Sequence, residues 1–342
     1  MQTVLIPLQS VNICPGLIKN EDKGCQTYRY FWKNFTMAID WNGVFPALTT
    51  KFTAKDELDL PLFEKNLRFQ LQSGVDGIIL GGSLGEASSL TLEEKEKLVK
   101  FTVETVKDKV PVILGIAEGA TSEALKLAAL APVWGAKGLM VLPPMRYRAD
   151  HRETVTYFKA IANSTKLPIM IYNNPYDYKI EVTLDMFDEL VECENIQSVK
   201  ESTRDVTNVT RMINRFGDRF KLLCGVDTLA MEELLMGAHG WVAGLVCAFP
   251  AETVAIFRLV KAGRIEEARA IYRWFMPVLE LDIHAKLVQY IKLAEVQTGI
   301  GSEYVRAPRL PLIGQERENV LRIIGESVAN RPALPDYLSI KL

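Results

Sequence analysis

Lys200 closes a short apolar run, Ile196 to Val199, and is followed at once by Glu201-Ser202-Thr203. An amine held where a buried strand meets its polar loop is desolvated, and desolvation disfavours its charged form. The neutral amine is then a nucleophile toward a carbonyl or imine carbon. Another apolar run, Pro168 to Ile171, ends in Tyr172-Asn173-Asn174-Pro175. Tyr172 brings a hydroxyl that can give or accept a proton, and Asn174 a polar rim beside it. A third polar tip, Gly81-Gly82-Ser83-Leu84-Gly85-Glu86, follows Gly77-Ile78-Ile79-Leu80. Its glycines let backbone N–H groups converge on an anion, with the Ser83 hydroxyl alongside. An anion nest, an amine and a phenol describe chemistry on a small 2-keto or 2-imino acid. The carboxylate docks at Gly82, Ser83 and Leu84. Lys200 takes C2 as a Schiff base that serves as an electron sink, and Tyr172 carries protons.

Each feature taken singly has a plainer explanation: a solvated lysine, a packed aromatic, a tight turn. Their force lies in where they fall, at the tips of successive strands, and that depends on the elements. From Gly43 the chain alternates between short apolar runs and helical patterns. Strands are expected at 43–50, 77–80, 112–116, 138–142, 168–172, 196–200, 221–224 and 240–244. Helices are expected at 61–73, 91–107, 122–130, 152–164, 183–192, 206–216, 229–236 and 251–261. Thr91 with Glu94 three residues on is a capping box. Short strands that are apolar throughout are those of a parallel sheet buried on both faces. Eight such units in roughly 220 residues predict a closed (β/α)8 TIM barrel, whose active site lies at the C-terminal ends of the strands. An open doubly wound sheet would carry a phosphate-binding glycine fingerprint after its first strand; Thr49-Thr50-Lys51-Phe52 is not one.

Beyond the barrel, helical patterns at 265–276, 286–298 and 316–328 form an expected C-terminal helical layer, with no flexible linker before it. The expected boundaries are an N-terminal extension over 1–36, a catalytic barrel over 37–262 and a helical region over 263–342. The extension holds an aromatic cluster, Tyr28, Tyr30, Phe31, Trp32 and Phe35, and reads either as an appendage preceding a start at Met37 or as a helix that packs on a neighbour.

The bulk composition narrows the function classes. The chain has 342 residues, 48% hydrophobic and 24% charged, and a net charge of −2. Such a balance gives no long-range attraction to nucleic acid or to an anionic membrane, and no apolar stretch reaches a membrane span. Five cysteines without a Cys-x-x-Cys read as reduced thiols of a cytoplasmic protein. Three histidines, His151, His239 and His284, lack metal-ligand spacing, so neither metal nor cofactor is expected.

One rival comes from another chemistry. Gly81-Gly82-Ser83-Leu84-Gly85 also fits the G-x-S-x-G nucleophile elbow of serine hydrolases, with Asp227 and His239 or His284 as partners. An elbow serine leads straight into its helix, whereas the helix here is expected only from Thr91.

The three tips together, Gly81 to Glu86, Tyr172 to Pro175 and Val199 to Ser202, resemble the signature segments of the dihydrodipicolinate synthase/N-acetylneuraminate lyase family, in the same order and with the same tyrosine-to-lysine spacing. The likeness runs from about Trp41 to Leu312 and includes Gly240 to Gly244. It implies a barrel with a C-terminal helical layer, assembled as a homotetramer or homodimer. Lys200 would form the Schiff base and Tyr172 relay protons. Ser83 and Leu84 would bind the carboxylate, and the Val242 carbonyl would orient the lysine. The synthases carry two threonines where this chain has Ser83 and Leu84, and an arginine for the second substrate's carboxylate in the stretch matching Tyr176-Asp177-Tyr178. Their partner-subunit tyrosine falls near Arg146-Tyr147. Val44 to Thr50, Trp274 to Pro277 and Leu287 to Lys292 look most like the 1-pyrroline-4-hydroxy-2-carboxylate deaminase branch, which implies release of ammonia and 2-oxoglutarate semialdehyde. The alternatives are a pyruvate-type 2-keto-acid aldolase or dehydratase, and a keto-acid-binding barrel without turnover.

Overall fold

The computed structural model describes residues 39–144 and 147–342. The expectations for residues 1–36 lie outside the described residues. Eight parallel strands follow one another around a barrel: β1 (Gly43–Pro46), β2 (Ile78–Leu80), β3 (Val112–Ile116), β4 (Gly138–Val141), β5 (Ile169–Asn173), β6 (Ile196–Glu201), β7 (Lys221–Cys224) and β8 (Gly240–Ala243). The (β/α)8 TIM barrel expected from the alternation is present. All of the strands but β6 and β7 are buried along their whole length, as a sheet covered on both faces requires.

β1 is half as long as its apolar run predicts. Pro46 has no N–H to continue a ladder, and the chain crosses from one neighbour to the other there. The Ala47 N–H donates to the Ala243 carbonyl at 3.0 Å and the Leu48 N–H to the Ile79 carbonyl at 3.0 Å. Those two bonds close the barrel between β8 and β2. Thr49, Thr50 and Lys51 then turn inward as buried polar groups.

The helices between strands are α1 (Leu60–Gln72), α2 (Leu92–Val106), α3 (Thr121–Leu130), α4 (His151–Ser164), α5 (Pro175–Tyr178), α6 (Leu184–Leu190), α7 (Thr207–Phe216) and α8 (Ala230–Leu235). The Thr91–Glu94 capping box opens α2 as predicted, with bonds of 3.2 and 3.0 Å. A second box, Asp150 with Glu153, starts α4 one residue earlier than expected. α9 (Pro250–Lys261) completes the ring. The C-terminal layer is α10 (Ile265–Leu279), α11 (Leu287–Gln297) and α12 (Gly314–Ala329). α10 runs three residues past its expected end and contains Pro277, because its apolar face, Ile271, Phe275, Val278 and Leu279, continues to find buried partners. Phe275 packs on Phe249 at 5.2 Å between ring centroids, joining α10 to the start of α9. Residues 38–342 make one compact unit by their contacts.

Candidate active site

β5 and β6 carry the two residues on which the chemistry depends, and their register is decided by an irregularity. Ile169 pairs with Ile196, but Met170 pairs with Ser198, so Gln197 is an extra residue in β6. Beyond it Tyr172 lies opposite Lys200. Had the first pairing continued, Tyr172 would oppose Val199 and Lys200 would point to the other face, since side chains alternate along a strand.

Lys200 is only 7% exposed, and its Nζ lies 4.0 Å from the centroid of the Tyr172 ring. Its stem crosses the start of the loop after β7 at Gly225. A Cβ there would fall 2.7 Å from the lysine Cγ and Cε and 2.1 Å from the Ser202 Oγ, so only glycine leaves the room. Burial pushes the amine's pKa below that of an ordinary lysine; the nearby Tyr178, Asp282, Asp227 and Cys224 pull the other way. The net direction favours a neutral amine.

The phenol is held by the turn that follows it. Asn174 caps α5: its Oδ1 accepts from the Asp177 N–H at 3.0 Å, and its Nδ2 donates to the Asp177 carboxylate at 2.7 Å and to the Tyr172 hydroxyl at 3.1 Å. Burial raises the Tyr172 pKa, so the hydroxyl is protonated at neutral pH. Tyr178, at the end of the same turn, lies edge-on to Tyr172 at 5.5 Å and its hydroxyl meets the Ser83 Oγ in a very short contact. Two phenols and a serine hydroxyl thus line one wall, on the side where Leu84 contributes no hydroxyl.

Gly82, Ser83, Leu84, Tyr172, Asn174, Lys200 and Val242 all line one chamber of about 650 Å3, its open mouth included. The structure brings every sequence-predicted site residue together. In the Gly81–Glu86 loop, the Glu86 N–H bonds to the Ser83 carbonyl and the Ala87 N–H to that of Gly82. Among the described residues no hydrogen bond takes the N–H of Ser83 or Leu84. Those two donors are what an incoming carboxylate requires.

The serine-hydrolase arrangement is absent. A short 3-10 turn, Ala87–Ser89, separates the loop from α2. Asp227 accepts from the Trp241 indole at 2.9 Å and the Leu245 N–H at 2.7 Å. His239 precedes β8, at the opposite end of the barrel, and receives the Leu222 N–H; His284 stacks on Tyr290. Neither reaches Ser83, whose side-chain partner is Tyr178.

Tyr178, Arg204 and Asp282 are among the further residues that line the chamber. Tyr178 lies in the same segment as Tyr172 and was legible as part of the rim. Arg204 follows β6 closely. Asp282 comes from the 3-10 turn Glu280–Ile283, between α10 and α11, and carried no signal in the sequence. Gly244 leaves space for it, because a Cβ there would meet the Asp282 Oδ1 at 2.4 Å. Burial and the neighbouring Asp227 hold the Asp282 carboxyl well above the usual range, opposed by Lys200. No group of three or more potential metal ligands occurs among the described residues, and no described helix is long and apolar enough to cross a membrane.

The model of the dihydrodipicolinate synthetase family matches residues 40–327. The chain is 32% identical over 275 residues to the 4-hydroxy-tetrahydrodipicolinate synthase of Exiguobacterium sibiricum, covering 80% of this chain and 93% of that one. It is 31% identical over 297 residues to an uncharacterized DapA-like lyase of Rhizobium meliloti, covering 84% and 97%. The crystal structure of dihydrodipicolinate synthase from Aquifex aeolicus superimposes with a TM-score of 0.80 at 28% identity, over 86% of this chain and all of that one.

Proposed function

Since this chain belongs to the dihydrodipicolinate synthetase family of class I Schiff-base lyases, we propose that it is a pyruvate-type 2-keto-acid aldolase or dehydratase acting through Lys200. The observation that carries the assignment is the Lys200 amine, buried and 4.0 Å over the Tyr172 ring, at the mouth of a chamber lined by the Ser83 loop. The substrate carboxylate takes the N–H groups of Ser83 and Leu84. The neutral amine adds to C2, and the C2 oxygen leaves as water with protons supplied through Tyr172. The resulting iminium accepts the electron pair released when a proton or a carbon fragment leaves C3. The enamine then bonds to an electrophilic carbon or takes up a proton, and water returns the amine and the ketone. The Tyr178–Ser83 contact supplies a second hydroxyl pair beside Tyr172, so Leu84 does not leave the proton path without a partner. That favours turnover over the binding-only barrel. The relatives' names favour the aldolase class, and the protein is expected in the cytoplasm as a homodimer or homotetramer.

Borohydride reduction in the presence of pyruvate tests the assignment. A single adduct is expected on Lys200, identified by peptide mass, and none on Lys200→Ala. An adduct on another lysine, or none, would end the Schiff-base reading.

A second reading rests on Asp177. This carboxylate lines the chamber in the stretch where the synthases carry a carboxylate-binding arginine, which suits a substrate such as 1-pyrroline-4-hydroxy-2-carboxylate with one carboxylate only. Its deaminase reaction would place Lys200 on the cyclic imine, lose the C4 hydroxyl as water and release the ring nitrogen as ammonia. Ammonia formed from the pyrroline, and no condensation of pyruvate with aldehydes, would select it.

A further inference from the structure

Arg204 stands four residues beyond Lys200, on the loop leaving β6, and lines the same chamber. Its backbone has φ of +63°, a left-handed conformation that costs an arginine what it does not cost a glycine. Such an outlier persists only where something else holds it, and it clusters at ligand sites. Here the guanidinium carbon lies over the Tyr176 ring, 3.3 Å from its centroid. Stacking fixes the plane of the fork and leaves its N–H edges free. Among the described residues it makes no hydrogen bond or ion pair. The nearby chamber acid Asp177 is occupied instead by Asn174 at 2.7 Å. A half-buried, preoriented and unpaired guanidinium at the edge of a chamber is a carboxylate receptor.

We propose that Arg204 receives a second carboxylate, at the end of the reacting acid remote from C2. The site then takes dicarboxylic 2-keto acids in preference to those that end in an apolar group. One acidic end lies on the Ser83–Leu84 N–H groups and the other on the stacked arginine, with C2 between them at Lys200. This deepens the Schiff-base assignment and rests on it.

Trapping reads the preference without requiring turnover. The protein is reduced with borohydride over a range of 2-oxoglutarate and, separately, of 2-oxopentanoate, which matches it in carbon count but ends in a methyl group. Pyruvate, with no distal group, is the reference. The wild type is expected to reach half-maximal labelling of Lys200 at about ten-fold lower 2-oxoglutarate than 2-oxopentanoate. In Arg204→Gly, which suits the left-handed backbone, the two concentrations are expected to fall within about two-fold of each other. Arg204→Lys is expected to keep part of the preference, having the charge but not the planar fork. Equal half-saturation in the wild type, or a full preference retained in Arg204→Gly, overturns the proposal. So does an equal loss of labelling by pyruvate and 2-oxoglutarate in that variant, because Arg204 would then serve Lys200 rather than the distal group. Wild-type protein that labels with none of the three acids sinks the Schiff-base assignment itself, and this proposal with it.

Discussion

An ammonium cannot attack a carbonyl, so the surroundings of Lys200 decide the pH range of the reaction. Burial lowers its pKa, and the carboxylates of Asp282 and Asp227 hold it up. Labelling of Lys200 should therefore rise with pH as the amine loses its proton, and fall away on the acid side where it is charged. Where Asp282 is ionised it favours the ammonium, and removing that charge lets the amine lose its proton sooner. In Asp282→Asn the acid limb of the labelling profile should move to lower pH. A profile unmoved, or moved to higher pH, would show that Asp282 does not act on the amine. Trapping rates with pyruvate across pH, in both proteins, give the answer.

At the scale of elements, the C-terminal layer reaches into the barrel through α11. Lys51, after β1, and Glu295, on α11, form a fully buried pair at 2.8 Å, with Thr49 donating to the same carboxylate oxygen at 2.6 Å. Lys292, one turn earlier, is buried against Glu86 at 2.5 Å and donates to the Tyr304 carbonyl at 2.6 Å. Glu86 ends the loop that carries Ser83, so α11 fixes two of the loops at the barrel mouth. Burial brings the Lys292 pKa down to about 8 despite Glu86. A buried pair is weak evidence for stability as such, but breaking one strands the other charge. Glu295→Ala should cost roughly 3–5 kcal/mol in denaturant unfolding. The double substitution Lys51→Met/Glu295→Leu should recover most of that loss. A single substitution that costs under about 1 kcal/mol would mean water reaches Lys51.

For the whole molecule, acid stability should carry the mark of His239. The imidazole is packed between β7 and β8; its Nδ1 accepts the Leu222 N–H at 3.2 Å, and Lys221 lies 3.3 Å from Nε2. Burial first, then Lys221 and Lys261, bring its pKa from 6.5 down to about 4. Between those values the unfolded chain takes up a proton that the folded protein refuses. Stability from this group is complete above about pH 6.5 and declines as pH falls toward 4. The slope is a fraction of roughly 1.4 kcal/mol per pH unit, because solvent reaches part of the ring. His239→Gln should flatten the dependence of the unfolding midpoint between pH 6.5 and 4; an unchanged slope would assign the acid sensitivity to other groups.

The barrel was legible in the sequence because each parallel strand is buried on both faces, and a run such as Ile78-Ile79-Leu80 has few other uses. The chemical types were legible too, since Lys200, Tyr172 and Ser83 all follow such runs. Their meeting was not. A period-2 pattern does not reveal that Gln197 shifts the pairing of β6, and that shift sets Lys200 beside Tyr172 instead of on the opposite face. Local pattern also cannot reach across 38 positions to bring Asp282 over Gly244, or set the guanidinium of Arg204 over Tyr176. Sequence periodicity reports what each segment must bury. Which side chains share a chamber depends on closure, register and the docking of a distant layer, and those are settled only when all the segments pack at once.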